Sequence, residues 1–377
     1  MSRQSYCLLK RLSKSRNIFN SLKGSMPMSQ VNENVVKLWC AGGAGLGIAA
    51  DVLKSQGKLS TSTEIARLDT VLLDTSRSNY HKNESIFEEH GVELVTIPGL
   101  DGSGQKRDEN VDKVVPYIAN IVHQHKPEDN SSLNIVIHSG SGGSGSIEGP
   151  LVVKELLEND AVVMVIMIGD ATTNKFAANT AATIRTYASI SKQLGKPVIV
   201  RYYQNYADKD STPDNINKAI AYSITDYRLL FSGNIHGVDS SDLRHFFQYH
   251  KVTNTEPGLT LISNFAIQNQ DKSSLDKTLE KSLGDNYNIV SLISIDSGDG
   301  LSRQPIPCDF RVDGQVIYAS NVPEEKRSSL YFVLTDNYFF QVINNLNEVV
   351  SSYEKKARAR VNNVINTSDA DSNGLVL

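Results

Sequence analysis

Cysteine is scarce in this chain of 377 residues, and long apolar runs are missing from it. The three cysteines, Cys7, Cys40 and Cys308, form neither a metal-ligand spacing nor a disulfide framework, which fits a reducing compartment. No apolar run approaches the ~20 residues of a membrane-spanning helix. The body of the chain carries no basic stripe of the kind that binds nucleic acid. We therefore expect a globular cytoplasmic protein without a membrane or nucleic-acid partner.

The net charge of −4 is distributed unevenly along the chain. Residues 1–34 hold six basic side chains against one acid, Glu33, and have a net charge of +5, which leaves −9 for the rest. A basic, serine-rich leader with few acids is typical of a transit peptide. It is also typical of a disordered extension, or of a reading frame whose true start is Met26 or Met28. We favour a basic, disordered extension over residues 1–34.

From residue 35 onward, strand-like apolar segments alternate with helical patterns. Val35–Cys40 and Leu133–Ile137 are short apolar runs, and Ala161–Ile168 has the continuous apolar character of a strand buried on both faces. Between such segments the apolar spacing is helical, as in Ala177–Leu194, which ends at Gly195. This alternation predicts a doubly wound α/β domain with a parallel sheet.

The pattern changes after the segment Asn215–Phe231, which we interpret as one long helix. The remaining elements are less regular in order and predict a smaller α+β domain. Strands are predicted at Leu259–Ile267, Ile289–Ile295, Ile306–Val312 and Leu330–Leu334, and helices at about 240–250, 272–283 and 336–361. The predicted organisation is an extension (1–34), a nucleotide-binding domain (35–212), a central helix (213–234), an α+β domain (235–335) and a helix with a tail (336–377).

The first of three glycine-rich segments is Gly45–Ala50, which matches the pattern G-x-G-x-x-A between a strand and a helix. Asp74 ends the following strand, as the acid of a dinucleotide-binding fingerprint would. A tight turn from strand to helix explains the same glycines without any ligand. A nicotinamide-dependent oxidoreductase of the Rossmann type is therefore one alternative for the function.

The second segment, His138–Pro150, reads "HSGSGGSGSIEGP" and lies between a buried strand and a helix that we expect to begin with Pro150 at its first position. It lacks the Lys-Ser/Thr ending of a P-loop, and position 146 is not the glycine that a nucleophile elbow requires. Backbone N–H groups at such a helix start converge on an anion. Together with a third segment at Gly99–Gly104, it predicts a nucleoside triphosphate whose charge is neutralised by Mg²⁺ and helix dipoles.

The order Gly142-Gly143-Ser144-Gly145-Ser146 resembles the G-G-G-[ST]-G-[ST]-G signature of the tubulin/FtsZ superfamily. Ser144–Pro150 is similar in more detail to the loop of bacteriophage tubulins of the PhuZ type, which ends Ser-Gly-Ser-x-x-Gly-Pro. The sequence "AGGAG" in the first segment, the pair Asp74-Thr75 and the acidic chain ending support the resemblance, which extends over about residues 35–377. Residues 1–34 lie outside it.

The resemblance implies a tubulin/FtsZ-like fold: a doubly wound parallel-sheet GTPase domain, a long central helix, a smaller α+β domain and a C-terminal helix with an acidic tail. It implies GTP or GDP as the ligand, with Mg²⁺ held through the nucleotide phosphates and not by a side chain. Pro213 stands where the family usually has an aromatic side chain against the base. The residues that match nucleotide contacts are Gly42, Gly43, Ala44, Gly45, Asp74, Thr75, Gly102, Gly104, Gly140, Gly142, Gly143, Ser144, Gly145, Ser146, Asn205 and Asn217.

Asp239 and Asp242, in "HGVDSSDLRHFF", match the acidic loop that the family inserts into the nucleotide site of the next subunit. Their spacing at a predicted helix start is also that of an N-cap and its third residue. Gly237 replaces the asparagine that usually precedes the first acid. The resemblance implies that both acids are catalytic and that hydrolysis depends on polymerisation. It further implies that the tail contacts a neighbouring subunit through Asp369, Asp371, Leu375, Val376 and Leu377.

The function that the resemblance implies is a GTPase that polymerises into dynamic cytoskeletal filaments. Such filaments would position phage DNA or a phage nucleus in the cytoplasm of an infected bacterium. Two alternatives remain open beside it. One is a structural polymer that binds nucleotide with little turnover, and the other is the oxidoreductase named above.

Overall fold

The computed structural model describes residues 34–56, 65–102, 107–127, 132–268, 288–296, 312–320 and 328–368. Several predictions fall outside these residues. They are the extension before residue 34, Gly104, the helix at 272–283, most of the strand Ile306–Val312, and the tail residues Asp369, Asp371, Leu375, Val376 and Leu377.

One sheet of ten strands organises the described chain, in the order β3-β2-β1-β4-β5-β6-β7-β10-β8-β9. The strands from β3 to β7 are parallel, β10 is antiparallel to both of its neighbours, and β9 is parallel to β8. The strands are β1 (Val35–Ala41), β2 (Arg67–Asp74), β3 (Leu94–Thr96), β4 (Leu133–Ser139), β5 (Val162–Asp170), β6 (Val198–Asn205), β7 (Leu259–Gln268), β8 (Ile289–Asp296), β9 (Val312–Ser320) and β10 (Ser328–Thr335).

The two sequence regions predicted as separate domains share this sheet. β6 pairs with β7 in parallel through the partners Val198 and Leu259, Ile199 and Thr260, and Val200 and Leu261. The predicted boundary at residue 212 therefore lies in a crossover connection between two adjacent strands of one sheet. The division into an α/β and an α+β part stays a prediction.

Helices connect the strands, and the parallel half of the sheet has the predicted alternation of strand and helix. Gly195 ends α6 in the left-handed conformation, at φ 61°, as its position after the apolar pattern predicts. The helices are α1 (Gly42–Gln56), α2 (Ser78–His81), α3 (Glu84–Glu89), α4 (Arg107–His125), α5 (Gly145–Glu158), α6 (Asn174–Leu194), α7 (Pro213–Leu230), α8 (Ser240–Phe247) and α9 (Tyr338–Ser368).

The sheet is buried on both faces, which explains the continuous apolar runs of its central strands. Along β1, Leu38 and Cys40 belong to one hydrophobic cluster, and Trp39 and Ala41 belong to the other. All nine residues of β5 are buried. Within the described chain, no helix combines the length and the apolarity that a membrane span requires.

Two sequence predictions about the glycine-rich segments are wrong. Helix α5 begins at Gly145, so Pro150 is its sixth residue and not its first. The glycine-rich turn ends at Ser144, and the helix begins directly after it. Pro150 therefore lies inside the helix, where it has no N–H to donate to the Ser146 carbonyl. In the first segment β1 passes at Ala41 directly into α1, so Gly45–Ala50 lies inside a helix and forms no separate turn.

A buried side-chain bridge connects three central strands. The indole N–H of Trp39 on β1 donates to Asn134 Oδ1 on β4 at 3.0 Å, and Asn134 Nδ2 donates to the carbonyl of Val162 on β5 at 3.2 Å. Trp39 is fully buried and Asn134 is 2% exposed. Removing this amide leaves buried polar groups without partners, which costs more than the bonds contribute in the folded protein.

We expect Asn134→Ala to lower the free energy of unfolding by about 1–3 kcal/mol. Urea unfolding followed by circular dichroism measures the change, and Asn254→Ala at an exposed asparagine is the control. In a Trp39→Phe background, which has no indole N–H to leave unpaired, the same substitution should cost less. Equal costs in both backgrounds would show that the indole bond contributes nothing.

Candidate functional site

The predicted phosphate-binding segments meet at the carboxyl ends of the adjacent strands β1 and β4. There the amino-terminal ends of α1 and α5 enclose a cavity of about 300 Å³, which we call the cradle. Backbone N–H groups of a helix start have no partner within their own helix, so the cradle is built to receive an anion. Its lining residues are Ala41, Gly42, Gly43, Ala44, Asn79, Ser139, Gly142, Gly143, Ser144 and Gly145.

The two helix starts approach so closely that side chains are excluded between them. Gly42 has φ +68°, and a Cβ atom on it would lie 2.7 Å from the backbone nitrogen of Gly145. A Cβ on Gly145 would lie 2.8 Å from the carbonyl oxygen of Ala41. A Cβ on Gly45 would lie 2.6 Å from the carbonyl oxygen of Ile137. These glycines fix the relative positions of β1, β4 and their helices.

Hydroxyl groups hold the loop before α5 in place. Ser146 Oγ is buried and donates to the carbonyl oxygen of Gly142 at 2.6 Å. The hydroxyl oxygens of Thr75 and Ser144 lie 2.7 Å apart, which connects the end of β2 to the cradle. Ser146 therefore acts behind the lining, whereas Ser144 forms part of it.

Within the described part of the chain, no lysine, arginine or histidine lines the cradle. Among the residues that the structure describes, no three His, Cys, Asp or Glu side chains group as metal ligands. An anion in the cradle would therefore be held by backbone N–H groups and by the dipoles of two helices. These groups fit a nucleotide that brings its own Mg²⁺ on its phosphates.

Two buried acids lie behind the cradle. Asp74 at the end of β2 is 2% exposed and accepts a hydrogen bond from Asn79 Nδ2 at 3.0 Å. Glu148 on α5 is fully buried, and neither of its carboxyl oxygens has a hydrogen-bond partner. Burial, and to a lesser extent the charge of Asp74, raise the pKa of Glu148 to about 8 against the opposing effect of the nearby Gly42 N–H. Glu148 is consequently neutral at pH 7.

The other predicted residues near the phosphates have supporting positions. Gly102 has φ +89°, and its N–H donates to the carbonyl of Thr75 at 3.0 Å. Gly140 lies outside the lining, where its carbonyl accepts from Thr183 Oγ1 at 2.9 Å and a Cβ would contact the Met167 side chain. Gly45 likewise lies behind the cradle.

The two asparagines predicted to contact the ribose or the base do not line the cradle. Asn217 lies in the second turn of α7, and its Nδ2 donates to Asp51 Oδ2 on α1 at 3.1 Å. Asn205 ends β6 and lines a second cavity of about 500 Å³ beside α9. Its Oδ1 is buried without a hydrogen-bond partner. Their nucleotide contacts stay predictions.

Asp239 and Asp242 form a reciprocal cap at the start of α8. Asp239 Oδ1 accepts from the N–H groups of Ser241 and Asp242 at 2.8 and 2.9 Å, and Asp242 Oδ2 accepts from the Asp239 N–H at 3.1 Å. The capping role that the spacing predicts is therefore present. Asp239 is exposed and Asp242 half-buried, so the free carboxylate oxygens remain within reach of another molecule.

The two acids belong to a segment at the edge of the sheet opposite the cradle. Before them, Asn34 Nδ2, next to the start of β1, donates to the Ser232 carbonyl at 3.1 Å. After them, Gln248 Nε2 donates at 3.4 Å to the carbonyl of Asp160, which precedes β5. The cradle begins where β1 ends, and seven residues of strand span about 20 Å. The acids and the cradle of one chain are therefore too far apart to act on one phosphate.

Sequence reasoning missed two residues of the site. Asn79 lines the cradle, and Glu148 lies behind it. Asn79 follows Asp74 in a segment without a recognisable pattern, and its role depends on a tertiary contact with α1. The sequence did contain a sign of Glu148, because an acidic residue among apolar and small residues at the start of a predicted helix is unusual.

No protein-family model matches this chain. In sequence, it is 26% identical over 191 residues to a phage tubulin-like protein of Pseudomonas phage phiKZ. The matched segment covers 48% of this chain and 57% of that protein. A phage tubulin-like protein of Pseudomonas phage PhiPA3 is 25% identical over 179 residues, which covers 47% and 49%. The chain thus spans about half the length of the curated relatives it matches.

Solved structures extend the similarity over most of the chain. The protofilament of TubZ from bacteriophage PhiKZ has a TM-score of 0.67 at 21% identity and covers 87% of this chain and 92% of its own. The phage tubulin PhuZ with GDP has a TM-score of 0.68 at 17% identity and covers 91% and 95%. The chain has the tubulin/FtsZ fold. The predicted fold class is confirmed, and so is the resemblance to phage tubulins.

In this tubulin-like chain, Gly45 and Gly47 lie on α1 and offer a matched pair of substitutions. We expect Gly45→Ala to lower the free energy of unfolding by about 1–3 kcal/mol, because its Cβ would meet the Ile137 carbonyl oxygen at 2.6 Å. A Cβ on Gly47 would have no atom within 4 Å, so Gly47→Ala should stabilise the helix by about 0.5–1 kcal/mol. Urea unfolding measures both. Equal effects of the two alanines would contradict the close approach of α1 to β4.

Proposed function

We propose that this chain is a phage-type tubulin that binds GTP in the cradle, polymerises head to tail and hydrolyses GTP where two subunits meet. The observation that carries the proposal is the separation of the two parts of the site. The cradle lies at the carboxyl ends of β1 and β4, and the capped acids lie near the amino ends of the same sheet. A head-to-tail contact brings the acidic edge of one chain onto the cradle of the next.

The chemistry of the cradle supports a nucleoside di- or triphosphate. Two helix starts and a glycine-rich loop present backbone N–H groups to the phosphates, and the absence of basic lining side chains leaves charge neutralisation to Mg²⁺ carried by the nucleotide. Guanine follows from the similarity to phage tubulins, one of which was solved with GDP. Asn205 and Asn217 are the proposed contacts to the ribose and base.

Asp239 and Asp242 are the proposed catalytic residues. Phosphoryl transfer requires a water in line with the leaving group, and a carboxylate can orient it and accept its proton. The capping bonds use Asp239 Oδ1 and Asp242 Oδ2, which fixes both carboxylates at the start of α8. The remaining oxygens can then act on the nucleotide of the neighbouring chain. A monomer would hydrolyse GTP very slowly.

The assembled form would be a cytoskeletal filament. Two of the solved relatives are a protofilament and a filament, which supports self-association of this chain. We propose that the tail after α9, with Asp369, Asp371, Leu375, Val376 and Leu377, adds a contact to a neighbouring subunit. The proposed role in the host cytoplasm is to position phage DNA or a phage nucleus.

One observation favours a second function, a structural polymer with little turnover. The capping bonds of Asp239 and Asp242 account for both acids without catalysis. The oxidoreductase alternative has less support, because Gly45–Ala50 lies inside α1. In addition, Asp74 is buried and accepts a hydrogen bond from Asn79, which leaves it poorly placed to accept one from a ribose hydroxyl.

We expect GTP hydrolysis and light scattering to begin at the same critical concentration of protein. Below it, turnover per subunit should be negligible, because each cradle lacks the acids of a neighbour. Phosphate release and scattering are measured in parallel against protein concentration, with GTP and with NADH as the control ligand. Scattering without phosphate release indicates the structural polymer, and NADH binding without either signal indicates the oxidoreductase.

We further expect Asp242→Asn to reduce phosphate release per polymerised subunit by about 100-fold or more, because the amide cannot accept a proton. The amide oxygen can still accept the capping bond from the Asp239 N–H, so the fold and the assembly should persist and filaments should last longer. Glu256→Gln, at an exposed acid outside the cap, is the matched control. Normal turnover in Asp242→Asn filaments would remove the catalytic assignment.

A further inference from the structure

Glu148 is a buried acid that the proposed reaction does not use. It is the fourth residue of α5, one turn after the start of the helix that bounds the cradle. Its side chain is fully buried, and both carboxyl oxygens lack a hydrogen-bond partner. A carboxylate in such a place would lose its hydration, with only the nearby Gly42 N–H to compensate for the loss. An apolar residue of the same size would pack there without that cost, so the acid requires a specific explanation.

The charged group that acts on Glu148 is Asp74, which is itself buried at the end of β2. Asp74 accepts a hydrogen bond from Asn79 Nδ2, and Asn79 lines the cradle and lies against Gly43. A series of interactions therefore connects the acid to the cradle. Glu148 and Asp74 interact through their charges, Asp74 accepts a hydrogen bond from Asn79, and Asn79 packs against Gly43 at the start of α1. A change of charge on Glu148 would be felt at the cradle through these groups.

The other titratable groups of the elements around α5 have partners elsewhere or face solvent. His138 of β4 lies against Gly149 and bonds Tyr187 of α6 through Nε2 at 2.6 Å. Charged groups of the remaining neighbours are engaged away from Glu148: Lys37 of β1 with Asp69, Asp170 of β5 with Thr172, and Asp51 of α1 with Asn217 and Lys54. On α4, the described residues Asp112, Lys113 and His123 are exposed and His125 is half-buried.

Phosphates in the cradle would add a third negative charge beside Asp74 and Glu148, and none of the described lining residues is basic. Buried like charges at close range are strongly unfavourable, so one acid must keep its proton when the anion binds. Asp74 accepts a hydrogen bond from Asn79 at 3.0 Å, whereas Glu148 has only the nearby Gly42 N–H, which does not reach hydrogen-bond geometry with either carboxyl oxygen. The proton therefore belongs on Glu148.

We propose that Glu148 is a positioning residue whose carboxyl group must be protonated for the cradle to hold the phosphates of a nucleotide. The neutral acid leaves Asp74 free to hold Asn79 and the start of α1. The ionised acid repels both Asp74 and the incoming anion. Nucleotide binding is thereby linked to the uptake of one proton at alkaline pH. The inference rests on the proposed function, since it takes a nucleoside phosphate as the ligand.

The sign of the pH dependence follows from the raised pKa of about 8 in the free protein. Below this value Glu148 already carries its proton, and affinity should not change with pH. Above it, the proton has to be taken up on binding, and the dissociation constant should rise about tenfold for each pH unit. A bound anion raises the pKa of Glu148 further, which extends the neutral form to higher pH in the complex.

The test compares GTP and GDP binding to the full chain and to Glu148→Gln between pH 6.5 and 9. Calorimetry in buffers of different ionisation heat gives both the affinity and the number of protons taken up. We expect wild-type affinity to fall about fivefold from pH 8 to pH 9, since half of the Glu148 side chains are already ionised at pH 8, and proton uptake should approach one per nucleotide at pH 9. Glu148→Gln should bind as wild type does at pH 7, take up no proton at position 148, and keep its affinity at pH 9.

Glu158→Gln, at an exposed acid on the same helix, is the matched control and should retain the wild-type profile. Thermal unfolding at each pH checks the fold, and Glu148→Gln should be at least as stable as wild type at pH 9. A flat wild-type profile, or parallel losses in wild type and Glu148→Gln, would overturn the role of Glu148 while leaving GTP binding intact. Failure of wild type to bind either nucleotide at any pH would instead refute the proposed function, and this inference with it. If Glu148→Gln does not fold, the proton uptake of the wild type at pH 8.5 decides, and a value near zero overturns the proposal.

Discussion

The close contact between two helix starts is the constraint on which the rest of the site depends. Gly42 meets the backbone nitrogen of Gly145, and Gly145 meets the carbonyl of Ala41, at distances that leave no room for a side chain. Because β1 and β4 are adjacent and parallel, both helices begin at the same edge of the sheet. Their unpaired N–H groups then converge on one small cavity. This tubulin-like sheet thus forms the cradle from backbone geometry, and side chains only support it.

That construction has an electrostatic consequence. Since no lysine or arginine is found among the described lining residues, an anion in the cradle would depend on helix dipoles, on cations that it brings with it and on the charge state of the acids behind it. Asp74 and Glu148 are buried where an ordinary protein interior would hold apolar groups. If the proposed role of Glu148 holds, the protonation of these acids controls how firmly the cradle holds an anion.

The parts of the site that the sequence predicts well are those with a local signal. The glycines and serines of the segment 139–146 lie at the cradle because their order specifies a strand-to-helix turn of one kind. Pro150 and Gly45 show the limit of local reasoning. Pro150 has a preference for a helix start, but the contact of Gly145 with Ala41 starts the helix five residues earlier. Gly45 fits a dinucleotide fingerprint, yet its role is to let α1 approach the carbonyl of Ile137. Asn79 and Glu148 escaped prediction because only the tertiary fold brings them to the cradle.

Asp239 and Asp242 show how one pair of residues can satisfy two demands. As a cap they need to accept N–H bonds at the start of α8, and each uses one oxygen for this. As groups facing a neighbour they need a fixed position and a free oxygen, and the cap supplies both. The interpretation of the spacing as a helix cap and its interpretation as a catalytic pair therefore do not compete. Capping holds two carboxylates rigidly at the edge of a sheet whose opposite edge carries the cradle. Under the proposed function, a complete site would form only between molecules, and turnover would then depend on assembly.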